Sequence, residues 1–151
     1  MVLLTGCGTF NGFVMPDDSE FIAIVESLTT PKEICQYMKD NFTYETVPGL
    51  STPYELFLMK VGNCNDFAYF GRYIAHQHGY ETYWVRIFFT IGITTHVMGI
   101  YVEDGKYNYS SNTNYYPIQA DSFEDCVLDY FPCPSGKELL KYDVYDYKEG
   151  D

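Results

Sequence analysis

The sequence predicts an α+β fold, with helices in the first half of the chain and an antiparallel sheet after them. Apolar residues recur at helical spacing as far as Gly79, and β-branched and aromatic residues dominate from Thr82 onward. Asp104-Gly105 then separates two strand-like stretches, which is a strong hairpin signal. The most apolar helix follows Asn63 and should lie at the centre of the molecule, packed on this sheet.

The length and charge of the chain limit its organisation and its partners. At 151 residues, it is predicted to form a single domain over 1–151, with an irregular segment at 1–19, and to bury a core without metals or disulfides. A net charge of −12 argues against nucleic acid as a partner, because phosphates would be repelled. No tight metal-ligand spacing occurs among the cysteines, so neither a metal nor a cofactor is expected; they stand at Cys7, Cys35, Cys64, Cys126 and Cys133.

The first residues raise the question of a lipid anchor. Leu4-Thr5-Gly6-Cys7 has the form of a bacterial lipoprotein cleavage box. A signal peptide needs an apolar stretch of ~7–15 residues before such a box, and only Met1 to Leu4 precede it here. The sequence also contains no segment apolar enough to span a membrane. We therefore expect a cytoplasmic protein. The alternative is a lipoprotein anchored at Cys7, if the true start lies upstream of Met1.

Three helices are predicted before the central one. Thr30 gives the clearest start, because Pro31 takes the first helical position and Glu33 follows three residues after the cap, as in a capping box. The helix that it opens should end near Tyr44. A shorter helix is predicted before it, at Glu20–Leu28. Another is predicted at Pro53–Met59, between a loop that contains Pro and Gly and the central helix.

The central helix carries the first candidate catalytic residue, Cys64. Asn63 is a good N-cap and Asp66 lies three residues later, so Cys64 falls in the first turn of a helix that closes at Gly79. Free N–H groups and the helix dipole favour a thiolate there, which a cysteine nucleophile requires. Asp66 opposes this effect, so a nearby imidazolium would still be needed.

Small residues on the same helix form a narrow stripe that would let another element approach closely; they are Cys64, Ala68, Gly71 and Ala75. This observation leaves an alternative open. Cys64 could be only a small core residue, as most free cysteines are. The catalytic interpretation therefore depends on residues further along the chain.

The second candidate is His96, on the second of three predicted strands. These strands are Thr82–Thr90, Thr94–Val102 and Lys106–Ser111, and a helix from about Asp121 to Tyr130 follows them. His96 shares a strand face with Met98 and Ile100, where a lone histidine is more often a core residue than a catalyst. Together with a cysteine at a helix N-terminus, however, an imidazole can take the thiol proton and later protonate a leaving amine.

The register of the hairpin leaves two candidates for a third group that would orient the imidazole. A three-residue loop at Glu103-Asp104-Gly105 would place Asn112 opposite His96. A two-residue loop would pair Glu103 with Lys106 and would make Ser111 the diagonal neighbour of His96 instead. The side-chain carbonyl of Asn112 suits the role better than a hydroxyl does, so the chemistry favours Asn112, whereas the ion pair favours the other register.

These residues resemble the transglutaminase-like superfamily, within the papain-like cysteine-enzyme fold. The resemblance runs from about Thr30 to Tyr116 and rests on Gly62-Asn63-Cys64-Asn65-Asp66-Phe67-Ala68, a strand histidine at His96, and the Asp104-Gly105 turn. It implies a Cys-His-Asp/Asn triad that acts on amide bonds through a thioester. The family usually has Asp fifteen residues after the histidine, where this chain has Ser111. Val97-Met98 after the histidine is a second departure.

The leading hypothesis is a cysteine hydrolase or acyltransferase that acts on peptide or glutamine amide bonds, with a peptidase favoured because the chain is small. Cys64 would be the nucleophile, His96 the general base and acid, and Asn112 the orienting residue, with a peptide or protein as substrate. The alternative is an inactive transglutaminase-like domain that binds a peptide or protein, which Ser111 at the usual acidic position would favour. A structural domain that uses its tyrosine-rich surface would explain the composition but not the Cys64 segment.

Overall fold

The computed structural model describes residues 13–89, 95–130 and 139–146, and the helices within them come mostly first along the chain. They are α1 (Ser19–Ser27), α2 (Pro31–Asn41), α3 (Pro53–Met59), α4 (Cys64–Gln77) and α5 (Phe123–Tyr130). The strands are β1 (Thr43–Tyr44), β2 (Val61–Gly62), β3 (Thr82–Phe89), β4 (Thr95–Glu103), β5 (Lys106–Ser111), β6 (Asn114–Ala120) and β7 (Leu139–Asp146). The predicted α+β class and the central helix that carries Cys64 are confirmed.

The main sheet has five antiparallel strands in the order β6-β5-β4-β3-β7. Its two faces are covered by different helices. Helix α4 lies against β4 and β3 on one face, and α5 lies against β5 and β6 on the other. The first core forms among the N-terminal helices and includes Tyr101 of the sheet. The second core forms under α5, from residues such as Ile87, Met98 and Val127. Helix α4 is therefore buried between the other helices and the sheet.

Each of the early helices begins with a side-chain cap. Asp18 accepts hydrogen bonds from the backbone of the first turn of α1. Thr30 and Glu33 form the predicted capping box of α2, and Thr52 with Glu55 forms another at α3. Each reciprocal pair satisfies two backbone donors that the helix itself leaves free. Local sequence is thus sufficient to define where these helices start.

The structure contains four strands that the sequence did not predict, β1, β2, β6 and β7, and some predicted elements end at other residues. Helix α2 stops at Asn41, because the chain turns extended at Phe42 and continues as β1, which pairs in parallel with β2. Strand β6 contains Pro117 and polar residues, which obscure its pattern, and it is an edge strand, where proline is tolerated. Strand β7 is acidic and is defined by its pairing with β3.

The small stripe of α4 allows the close approach that the sequence predicts. The backbone of Gly71 lies against the hydroxyl of Tyr101 on β4, so that a Cβ at Gly71 would collide with this oxygen. Tyr101 is fully buried and bonds to Ser110 Oγ at 3.1 Å. None of the described helices is both long enough and apolar enough to cross a bilayer. The possible lipid site at Cys7, and the Cys133 loop, lie outside the described residues.

Candidate active site

Cys64 is the first residue of α4, as predicted, and a tightly bonded N-terminus holds it there. Asn63 caps the helix through Oδ1, which accepts hydrogen bonds from the N–H groups of Asn65 at 2.9 Å and Asp66 at 3.4 Å. In return, Asp66 Oδ2 accepts from the N–H of Asn63 at 2.8 Å. The Cys64 side chain is half-buried, whereas Cys35 and Cys126 are buried. Burial raises the pKa of each of these two thiols to about 12.

Both oxygens of the Asp66 carboxylate accept hydrogen bonds from backbone N–H groups. It is fully buried, and its second oxygen accepts a hydrogen bond at 2.7 Å from the N–H of Ser51 in the preceding loop. One carboxylate thus ties the loop to the start of α4. Gly62 makes room for it, because a Cβ there would lie 2.9 Å from Asp66 Cβ and 2.8 Å from Leu56 Cδ1. The Gly-Asn-Cys-Asn-Asp segment is accordingly a packing motif as well as a capping motif.

The Cys64 amide differs from its neighbours in the first turn of α4. Among the described residues, the N–H groups of Asn63, Asn65 and Asp66 all have acceptors, and that of Phe67 bonds to the Asn63 carbonyl. Within the same part of the chain, no acceptor is found for the N–H of Cys64. A free amide at the nucleophile is what a developing oxyanion needs.

His96 lies on the face of the sheet that α5 covers. It pairs with Ile87 of β3, and Ile87 and Met98 both belong to the core under α5. Burial lowers the pKa of His96 to about 4. The imidazole is therefore neutral at pH 7, with one ring nitrogen protonated and the other available as a base.

The partner of His96 is Ser111 and not Asn112. The hairpin has the two-residue loop, with Glu103 opposite Lys106 and Met98 opposite Ser111, and Asp104 and Gly105 both adopt positive φ. This register makes Ser111 the diagonal neighbour, and its Oγ lies 3.0 Å from His96 Nε2. The register that would have set Asn112 opposite His96 is not formed, so that expectation was wrong.

Asn112 has a different place in the structure. It has φ 52° and lies between Ser111 and Asn114, which pair across the turn from β5 to β6. Asparagine tolerates this left-handed conformation better than most residues do, because its short side chain can bond locally. Its Oδ1 is buried without a hydrogen-bond partner among the described residues. Asn112 is thus a turn residue beside the site, and Ser111 takes the position on the imidazole.

Tyr130, at the end of α5, is a neighbour of the site that the sequence did not indicate. Its ring stacks on His96 with centroids 4.6 Å apart and an interplanar angle of 15°. Burial raises the pKa of Tyr130, the nearby Cys64 raises it further, and a hydrogen bond from Ser111 lowers it. Tyr130 therefore stacks on His96 and lies near enough to Cys64 and Ser111 for both to affect its pKa. No sequence signal pointed to it, because a tyrosine at a helix end is ordinary in a chain with 16 tyrosines.

Cys64 and His96 belong to elements on opposite faces of the sheet. Cys64 begins the helix on one face, and His96 lies under α5 on the other. Among the described residues, no hydrogen bond joins Cys64 Sγ to the ring of His96, and the imidazole bonds to Ser111 alone. In unliganded enzymes the bond from nucleophile to base is often long and tightens only with substrate.

A separate cavity of about 510 Å³ lies between α2 and β6. Lys32, Lys39 and Tyr115 are among its lining residues, and neither Cys64 nor His96 is. In the described part of the chain, no group of three or more His, Cys, Asp or Glu side chains is arranged to hold a metal ion. The candidate site is therefore the Cys64, His96, Ser111 and Tyr130 group alone.

Comparison with known proteins finds likeness in structure and not in sequence. No family model matches the chain, and no curated protein matches it. Legionella pneumophila LapG in its calcium-bound form is similar over 88% of this chain and 80% of its own, with a TM-score of 0.56 at 11% identity. The EGTA-treated LapG matches 65% of this chain at a TM-score of 0.53 and 14% identity. This second match spans 63% of the LapG chain, which is less than two thirds.

A protein from Cytophaga hutchinsonii, described as a candidate cysteine protease, is similar over 85% of this chain and 49% of its own. Its TM-score is 0.51 at 11% identity. At these identities the likeness establishes the fold. The α+β architecture, with its central helix on an antiparallel sheet, is consistent with a papain-like core and is shared with all three structures.

Proposed function

We propose that this protein is a cysteine peptidase, or a related acyltransferase, that cleaves amide bonds through a thioester on Cys64. The observation that supports the proposal most directly is the arrangement around Tyr130. Its ring stacks on a histidine that bonds to Ser111, and the cysteine in the first turn of α4 lies near enough to raise its pKa. A fold shared with a candidate cysteine protease adds support, although fold alone does not determine function.

The bond to Ser111 supports separate roles for the two ring nitrogens. Nε2 of His96 faces Ser111 Oγ, which leaves Nδ1 as the nitrogen that can receive a proton from Cys64. Because burial keeps His96 neutral at pH 7, the resting site would hold an uncharged imidazole. Proton transfer would then accompany attack and would not precede it.

The reaction follows from these roles. Cys64 Sγ attacks the substrate carbonyl carbon while its proton passes to His96 Nδ1, and a tetrahedral oxyanion forms. The C–N bond then breaks, and the leaving amine takes the proton from the imidazolium. Water, deprotonated by the same imidazole, attacks the thioester and releases the acid and the thiol. An amine in place of water would give transamidation.

The amide of Cys64, for which no acceptor is found among the described residues, would stabilise the oxyanion. It is the first N–H of α4, where the helix dipole also favours negative charge. Loss of one such donor typically costs about 10²–10³ in kcat. The small residues behind it keep α4 close to the sheet, so the amide would be held in position before substrate binds.

The proposal is tested by measuring alkylation and hydrolysis on one set of variants. In the wild type, iodoacetamide at neutral pH should label Cys64 much faster than Cys35, Cys126 or Cys133, and the protein should cleave a mixed peptide library, as detected by new N-termini. His96→Ala should remove the preference for Cys64 and lower hydrolysis by at least about 10². Cys64→Ala should abolish turnover.

Two matched controls separate chemistry from folding. Cys35→Ala removes a buried thiol, and His78→Ala removes an imidazole whose Nε2 contacts the Val25 carbonyl at 2.7 Å, away from the site. Both should keep the labelling rate and the hydrolysis of the wild type. Labelling of Cys64 that does not change in His96→Ala, together with no cleavage, would overturn the proposal in favour of a peptide-binding domain.

A further inference from the structure

The cavity between α2 and β6 runs along an open edge of the main sheet. Its lining includes four consecutive residues of β6, 114–117. The side chains of a strand alternate between its two faces, so consecutive residues border one cavity only where it follows the edge of the strand. Strand β6 is the last strand on its side of the sheet, and no described strand pairs with its outer edge. The cavity is therefore a groove with the backbone of β6 as one wall.

The turn from β5 to β6 determines which backbone groups of β6 face this groove. Ser111 pairs with Asn114 across a two-residue turn, and such a turn closes on a hydrogen-bonded pair. Bonded and non-bonded pairs alternate along an antiparallel ladder, so the N–H and C=O of Tyr115 point away from β5. Among the described residues, no acceptor is found for this N–H. Pro117, two residues later, has the same orientation, which suits a residue without an N–H.

One face of α2 forms the opposite wall of the groove, and it carries two lysines. Lys32, Cys35, Gln36 and Lys39 line the cavity, and their spacing places them on one side of the helix. The two lysines are separated by about 10 Å along the helix axis. Neither forms an ion pair with a described residue, and none of the described lining residues is acidic. In a chain with a net charge of −12, this groove is a basic surface.

We propose that this groove binds an acidic peptide as an added strand along the edge of β6. The backbone of the peptide would bond to the N–H and C=O of Tyr115, and its carboxylates would face Lys32 and Lys39. A phosphate group suits the groove less well, because its oxygens only accept hydrogen bonds and would meet the carbonyls of Tyr115 and Pro117. A volume of about 510 Å³ lies in the usual range of ligand pockets.

The groove is distinct from the candidate active site, because neither Cys64 nor His96 lines it. Peptide binding there goes beyond the proposed function and does not depend on it. All binding measurements are therefore made on the full chain with Cys64→Ala, so that cleavage of the probe cannot contribute. Peptide binding to this variant, together with a wild type that cleaves no peptide, would support the groove and overturn the proposed function.

The charge of the ligand is tested with a fluorescent ten-residue peptide of alternating Glu and Thr, by anisotropy at low salt. Threonine favours an extended chain, and the alternation places every carboxylate on one face. Lys32→Gln and Lys39→Gln should each weaken binding about threefold, and the double variant about tenfold. A peptide of alternating Gln and Thr should bind at least about tenfold more weakly than the acidic one. Lys141→Gln makes the same change of charge on β7, at the opposite edge of the sheet, and should have no effect.

The added strand is tested with peptides methylated on their backbone nitrogens. Alternate N–H groups of a strand point to opposite edges, so methylation of one set, all Glu or all Thr, should weaken binding at least about tenfold. Methylation of the other set should change it less than about twofold. Addition of the unmethylated peptide should also slow the exchange of the Tyr115 amide with deuterium, as followed by NMR.

Several results would overturn the inference. Equal affinity for the acidic and neutral peptides, or unchanged affinity in the double lysine variant, would show that the lysines do not recognise carboxylates. Equal losses with both methylated sets, or unchanged exchange of the Tyr115 amide, would show that no strand is added to β6. Tighter binding of an oligothymidine with the same number of charges would favour a phosphate ligand in place of a peptide.

Discussion

Ser111 occupies the position that an acidic residue takes in the superfamily this chain resembles, and the change has a chemical consequence. A carboxylate would stabilise an imidazolium by its charge, whereas a hydroxyl can only orient the ring. The pKa of His96 follows this expectation, because burial lowers it to about 4. At the residue scale, the imidazole is therefore neutral at pH 7.

Substitution of Ser111 tests this view. Ser111→Asp should raise the pKa of His96 from about 4 toward or above its ordinary value, because an adjacent negative charge favours the imidazolium. Alkylation of Cys64 at pH 7 should then become at least about tenfold faster, since each unit of pKa is worth about 1.4 kcal/mol. Histidine NMR titration and the iodoacetamide rate measure the two effects.

Ser111→Ala and Ser110→Ala serve as the comparison for that experiment. Ser111→Ala should slow alkylation about tenfold, because a buried ring nitrogen loses its partner. Ser110 points to the opposite face of the sheet, where it bonds to Tyr101, so Ser110→Ala should leave the Cys64 rate unchanged. Equal rates in Ser111→Asp and the wild type would show that residue 111 does not act on the imidazole.

At the scale of elements, the start of α4 is held by a buried charge. Asp66 closes the capping box of the helix and also binds the loop at Ser51, whereas the boxes of α2 and α3 are closed by exposed glutamates. All three capping boxes have the same sequence pattern, a polar cap residue followed three positions later by an acidic residue. Only the box at Cys64 is covered by other residues, so only there does the cap couple a loop to the nucleophile.

Asp66→Asn and Glu55→Gln compare the two kinds of cap. Both of the backbone groups that Asp66 binds are donors, so an amide nitrogen could not replace either oxygen. Asp66→Asn should lower the free energy of unfolding by about 2–3 kcal/mol. Glu55→Gln removes only an exposed charge and should cost less than about 1 kcal/mol. Urea denaturation measures both, and equal losses would contradict the special role of Asp66.

At the scale of the whole molecule, the sheet separates two cores, and the residues of the candidate site come from elements on both of its faces. Cys64 belongs to the helix on one face, and His96 lies on the other under α5. Burial of His96 under α5 connects the site to global stability, because a histidine that stays neutral when folded and becomes charged when unfolded makes stability depend on pH.

The direction of this pH dependence follows from the pKa of His96. It is lowered from 6.5 to about 4, so between these values the unfolded chain binds a proton that the folded chain does not. The contribution is complete above pH 6.5 and is lost as the pH falls toward about 4. It amounts to about 3 kcal/mol.

His96→Gln removes this contribution. Between pH 7 and pH 4.5, the wild type should lose about 2 kcal/mol more free energy of unfolding than His96→Gln does. Urea denaturation at the two pH values measures the difference, and the carboxylates shared by both proteins cancel in the comparison. Parallel losses in the two proteins would show that His96 is not held neutral by burial.

Much of the fold could be read from local patterns, because caps, helical periodicity and the Asp104-Gly105 turn act over a few residues. The starts of α2, α3 and α4, the position of Cys64 and the three strands around His96 were predicted in this way and are confirmed. Strands β6 and β7 were missed, because an edge strand with a proline and an acidic strand show no clear alternation. These two strands are recognised only by their pairing with neighbouring strands in the sheet.

The sequence by itself determined that a cysteine starts the central helix and that a histidine lies on a strand. It left open which of two hairpin registers forms, and chemical preference favoured Asn112. Only the tertiary structure showed that Ser111 bonds to His96 and that Tyr130, from a later helix, stacks on the same imidazole. The physical reason is that a shift of one residue in a strand reverses every side chain, and the packing of two cores outweighs the preference of one imidazole for a particular partner.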